Sequence, residues 1–223
     1  MPDEKKVTLL GRRAGELLAG MADIVDDLWG QSPASATAEK ASAAPRPAAA
    51  QPEFPPFTQL WKVADETVDW TDALSRETPS DSLTDPATWA LYRRYARPVL
   101  QGDTDAYLAV IEAMQPLEDL SAYALSFDVA APSAELLKAS FQALPIYLDK
   151  PEAEARRYLA GMAVRVARDL FALLPVTRFS VIAIHGEKTL LTVSFDKSEM
   201  LKVRFEFIDP VDFTIACGGV FAE

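Results

Sequence analysis

Between Gln31 and Pro56 the chain carries no Leu, Ile, Val, Met or Gly, and 15 of its 26 residues are Ala or Pro. Such a stretch has too little to bury to offset the entropy of ordering it. Its six prolines, at 33, 45, 47, 52, 55 and 56, hold themselves and their predecessors in extended conformations. The expectation is a disordered, semi-stiff linker. It divides the chain into an N-terminal piece, residues 1–30, and one main domain, residues 57–223.

The N-terminal piece places Leu10, Ala14, Leu17, Met21, Ile24 and Leu28 at four-three spacing, which lines them along one stripe of an amphipathic helix. Trp29 follows at its end with no core residue nearby in sequence. The charges run against the helix dipole. Lys5, Lys6, Arg12 and Arg13 sit at its positive end and Asp23, Asp26 and Asp27 at its negative end, each cluster costing a few tenths of a kcal/mol. Two copies packed antiparallel about Leu18 would bring opposite charges together, with Gly11, Gly15 and Ala19 allowing close approach. The stripe is therefore read as a contact for a protein partner or a homodimer, its residues being Leu10, Leu17, Met21, Ile24, Leu28 and Trp29. A membrane surface would also suit a basic start and an apolar stripe, but the three aspartates argue against it.

Residues 57–120 read as helical. Phe57, Leu60, Trp61, Ala64 and Val68 follow helical spacing after Thr58, a candidate cap. Asp85-Pro86 combines a capping residue with a proline at the first helical position, and Pro98 is expected to end or kink that helix. A third helix starts near Asp103. The aromatic residues Phe54, Phe57, Trp61, Trp70, Trp89 and Tyr92 are expected to pack in the core.

Residues 121–223 read as strand-rich. Apolar side chains alternate over Tyr123–Val129, Phe179–Ala183, Leu191–Phe195 and Leu201–Phe207, the period of half-buried strands. Gly186 lies between the second and third, as a hairpin turn requires, and Asp196-Lys-Ser-Glu199 has the form of a capping box. Residues 132–148 fit either a helix over Ala134–Leu144 or a strand near Lys138–Ala143. Asp149, Pro151, Glu152 and Glu154 announce the strongest helix, whose apolar face is Leu159, Met162, Ala163, Val166, Leu170 and Leu174. The fold class is α+β, an antiparallel sheet of about four strands packed by this long helix. Arg156, Arg157, Arg165 and Arg168 project from it and are expected to form a solvated face balancing nearby acids, with anion binding as the alternative.

Familiar chemistry is sparse. Net charge is −11, with 22 basic against 33 acidic residues, which argues against nucleic-acid binding. The nine glycines form no phosphate-binding loop, and no cofactor is expected. His185 is the only histidine and falls in the hairpin turn, and Cys217 has no basic neighbour in sequence to activate it. The repeated Ser-Phe-Asp at 126–128 and 194–196 suggests an alternative: Asp128 and Asp196 as a divalent-metal site of a hydrolase. With no secretory signal and no long apolar run, the expectation is a cytoplasmic, non-enzymatic interaction protein.

Overall fold

The structure, a computed structural model, describes residues 5–10, 57–80 and 84–222. In chain order these form β1 (Lys6–Leu10), α1 (Trp70–Ser75), α2 (Pro86–Leu100), α3 (Thr104–Met114), β2 (Ala124–Ser133), β3 (Leu136–Ala143), α4 (Pro145–Leu148), α5 (Glu152–Leu173), β4 (Arg178–His185), β5 (Lys188–Asp196), α6 (Lys197–Met200), α7 (Pro210–Ala216) and β6 (Val220–Phe221). Short 3-10 turns lie at Leu60–Lys62, Glu118–Leu120 and Phe205–Phe207. No described helix is long and apolar enough to cross a membrane.

The class is α+β. The sheet has six described strands in the order β1-β2-β3-β4-β5-β6, against the four expected: β1, β3 and β6 are added and the expected strand over 201–207 is absent. Neighbours are antiparallel except β3 and β4. That parallel join needs a crossover, which α5 supplies. Gly186, at a φ of +60°, heads the tight turn between β4 and β5. One sheet face carries the core residues Leu9, Phe127, Phe141, Phe179, Val193 and Phe195, all buried. The opposite face presents Thr8, Asp128, Ser140, Ile182 and Thr192, aligned across neighbouring strands.

α5 starts with Glu152 and Glu154 in its first turn, as expected, but Pro151 rather than Asp149 is its N-cap. Asp149 closes α4, donating its N–H to the Pro145 carbonyl. The expected apolar face is buried, and so are Ala160, Val164 and Ala167 on other sides of the helix. Between Tyr158 and Leu173 only Arg168 escapes full burial. Sheet residues cover one side and the segment 57–69 covers another. Gly161 permits the latter contact, because a Cβ there would stand 3.0 Å from Cε3 of Trp61. Phe57, Trp61, Trp70 and Trp89 are all buried, as expected of core aromatics; Phe54 lies outside the described residues.

Several expectations are corrected. Residues 57–68 are not a helix: after the turn at Leu60–Lys62 the chain runs extended to Asp69. Its backbone groups bond to α5 instead of to one another, as Val68 N–H to the Ala172 carbonyl illustrates at 2.9 Å. Residues 201–207 are not a strand. Asp196 caps α6 through the Ser198 N–H, and this helical turn carries the chain off the sheet so that Phe205 packs edge-on against Phe213. The free edge of β5 is taken by β6. Pro98 does not end α2, which continues to Leu100, because a proline so near the C-terminus breaks only a late helical hydrogen bond. The ambiguous stretch resolves as β3. The helical stripe cannot begin at Leu10, the last residue of β1; its remainder, Leu17, Met21, Ile24, Leu28 and Trp29, and the linker lie outside the described residues.

Candidate functional site

A groove of about 240 Å³ opens at the C-terminal end of α5, where the strap 63–68 and the segment after α6 converge. Phe171 and Ala172 of α5 form its floor with Met200, Val203 and Phe205, while Ala64, Asp65 and Thr67 of the strap stand opposite. Its two cations are Arg168 and Lys197. Arg168 Nη1 donates to the carbonyls of Trp61 at 2.5 Å and Val63 at 3.2 Å, and its guanidinium lies 4.1 Å above the Phe205 ring. Lys197 Nζ donates to the Phe171 and Leu174 carbonyls at 2.6 and 3.1 Å. These belong to the last turn of α5, where carbonyls lack helical partners.

Both cations are partly buried, and burial pushes each pKa down. Among the described residues neither has a carboxylate within 4.0 Å. Of the lining residues Leu201 is the most open, 77% exposed, and Val63 and Phe207, neighbours in sequence of the lining residues Ala64 and Phe205, are 58% and 82% exposed. Aromatic and apolar walls, two cations hydrogen-bonded to backbone carbonyls and one carboxylate, Asp65, make the groove amphipathic, suited to an apolar ligand with a polar group.

One turn away the chemistry differs. Arg165 Nε donates to Asp169 Oδ2 at 2.6 Å, with both side chains buried. Asp169 Oδ1 accepts the Asp65 N–H at 3.1 Å, and the carboxylates of Asp65 and Asp119 each stand 3.8 Å from Arg165 Nη2. Burial pushes Asp169 up to about 7, with Arg165 pulling the other way, and burial also raises Asp65. The guanidinium fills the centre of this carboxylate group. The arrangement pins the strap to α5. Among the described residues no group of three or more His, Cys, Asp or Glu is placed to hold a metal ion.

The residues singled out from the sequence are dispersed. Leu10 is 71% exposed at the end of β1. Asp128 accepts the Thr8 hydroxyl at 2.5 Å and pairs with Lys6 at 3.5 Å, while Asp196 caps α6. Asp128 aligns through Ser140 and Ile182 with Thr192, four residues short of Asp196. That places the two aspartates about 14 Å apart across the strands and about 13 Å along them, so the sheet does not bring them together. Arg156 pairs with Glu152 and Arg157 with Asp209, each at 2.7 Å. Arg165 and Arg168 depart from the expected solvated face, because segment 57–69 covers the side of α5 that bears them. Cys217 is half-buried, and burial raises its pKa. Lys197, Met200, Val203 and Phe205 went unremarked as site residues because the alternation over 201–207 reads as strand; the capping box just before it was the available signal that the chain turns away.

The chain matches no family model, no curated protein and no solved structure.

Proposed function

We propose that this chain is a non-enzymatic binding protein of the cytoplasm that self-associates through Leu10 and the apolar stripe that follows it in sequence, Leu17, Met21, Ile24 and Leu28, with Trp29 at its end and residues 57–223 as the scaffold. One observation carries the reading: Leu10, which ends an edge strand just ahead of the stripe, has 71% of its surface in solvent. The alternation within β1 turns Leu9 into the core and Leu10 away from it. The body therefore leaves this apolar residue, next to the stripe in sequence, for another surface to cover. Val63, Leu201 and Phe207, all exposed, leave further apolar side chains on the scaffold open to a contact.

Sedimentation velocity on the full chain tests this at tens of micromolar. The expected result is a dimer, converted to monomer by Leu17→Asp or Ile24→Asp with an unchanged melting temperature. A wild-type chain that sediments as a monomer throughout that range overturns the proposal. Point variants are needed because truncation at Pro56 would also remove β1 and strip β2 of a partner strand.

A further inference from the structure

We infer that the sheet face turned away from α5 is where two copies of the chain meet, packed face to face about a two-fold axis. The inference rests on the self-association proposed above and locates it on the body. One row across this face, Thr8, Asp128, Ser140, Ile182 and Thr192, takes a residue from each of five strands, and every one is half-buried or exposed. Leu10 stands on the same face at one edge. At the other edge Val220 of β6 lies opposite Thr192 and is 67% exposed. Between them Ile182 and Ile184 of β4 take no part in the core. β3 and β4 form the parallel pair at the centre of the sheet. Parallel strands are ordinarily covered on both faces, whereas here α5 covers one.

Charge selects a second copy as the cover. At a net charge of −11, two copies repel each other over most of their surface. This face carries no share of that excess: Lys6, Lys138 and Arg178 stand against Asp128 and Asp196, and Lys6 already pairs with Asp128 at 3.5 Å. On β4 and β5 the residues Ser180, Ile182, Thr192 and Ser194, aligned in pairs, are all uncharged. Depletion of charge in the middle of a surface is the compositional mark of an interface core. Hydroxyls donate and accept at once, so a face of this kind complements its own copy and offers little to a strongly charged partner. Ser180 and Ser194, 2.8 Å apart, already bond to each other in this way between neighbouring strands.

The area is sufficient. β1 to β5 are five to ten residues long and give the face a plan area of about 600 Å². The side chains standing on it expose more than the plan, and a standard interface takes about 800 Å² of accessible surface from each partner. Two sheets stacked in this way lie about 10 Å apart. The same patch serves both copies, so the contact closes as a dimer.

Sedimentation velocity on full-chain variants tests this. Thr192→Lys sets a charge at an exposed position on the face and is expected to raise the dimer dissociation constant at least tenfold without lowering the melting temperature of the monomer. A constant unmoved by Thr192→Lys overturns the assignment of the face, and loss of the dimer in Leu17→Asp then leaves self-association through the stripe standing. The converse, a dimer weakened by Thr192→Lys and indifferent to Leu17→Asp, upholds the face and removes the stripe. A wild-type chain that is monomeric removes both. Hydroxyl-radical footprinting of the unmodified chain supplies a measurement free of substitutions. Across the concentration range of dimerisation, oxidation of Ile182, Ile184 and Val220 is expected to fall while that of Leu201 and Phe207, on the helix-bearing side, stays constant. A dimer that protects Leu201 and Phe207 and leaves the three sheet residues open overturns the inference.

Discussion

Arg165 and Arg168 leave α5 within one turn of each other, yet one is paired with a carboxylate at 2.6 Å and the other is held by backbone carbonyls, with the groove's carboxylate, Asp65, standing 3.8 Å from Arg165. Arg165 is held at 2.6 Å by Asp169, with Asp65 and Asp119 nearby. Arg168 is held by the carbonyls of Trp61 and Val63 and by the face of Phe205. Both fasten the same strap to the same helix. The difference lies in what remains available: the first site has spent its charge internally, and the second keeps a positive charge directed at a surface lined by apolar side chains. A buried ion pair suits a pin, and an incompletely compensated cation suits a contact.

Removing the carboxylate from the sealed site should have the largest effect. Asp169→Ala leaves the Arg165 guanidinium buried without its main acceptor and is expected to cost about 3–5 kcal/mol, read as a shift in the urea midpoint at pH 8. Replacing both partners, Arg165→Met with Asp169→Leu, should recover most of that loss; a double variant as unstable as Asp169→Ala alone would show that the pair does more than compensate charge.

The open site should yield less. Arg168→Met removes two hydrogen bonds to strap carbonyls, about 1–3 kcal/mol, and should raise hydrogen exchange at Asp65 and Val68 before it lowers global stability. Equal protection in the variant would mean that the strap does not depend on Arg168. A third measurement separates the two sites by pH. Asp169 holds its proton up to about pH 7, against an ordinary value of 3.8, because burial outweighs the pull of Arg165. Between those values the folded chain binds this proton more tightly than the unfolded one, so the contribution of this group to stability falls as pH rises. Melting temperatures at pH 5 and pH 7.5 should therefore show a component of a few degrees in favour of pH 5. That component should vanish in Asp169→Asn and persist in Arg168→Met.

Where a residue's own neighbours in sequence decide its conformation, the fold was legible. Asp85-Pro86 starts α2 and Asp103 starts α3 by accepting N–H groups two and three residues ahead. Gly186 makes the turn between β4 and β5, whose alternating residues Phe179, Val181, Leu191 and Val193 are buried as expected. The misreadings have a common cause. Residues 57–68 have helical spacing and 201–207 have strand spacing, but both line α5 or its surroundings, and each adopts the conformation that its partner surface satisfies. The candidate site is made largely of these two segments. Its cations gave no local sign either, since Arg168 reads as part of a charged helix face and Lys197 as one residue of a capping turn.

The sequence by itself determined the α+β class, the long helix after Pro151, the capped helix starts and the alternation of the central strands. These depend on interactions a few residues apart, which any conformation of the rest of the chain leaves in force. Only the tertiary structure decided that the strap runs extended, that 201–207 leaves the sheet, that Arg165 is sealed while Arg168 and Lys197 line a groove, and that Asp128 and Asp196 stand apart. Those outcomes depend on which distant surfaces meet, because a buried backbone group or charge takes its partner from whatever the fold places against it.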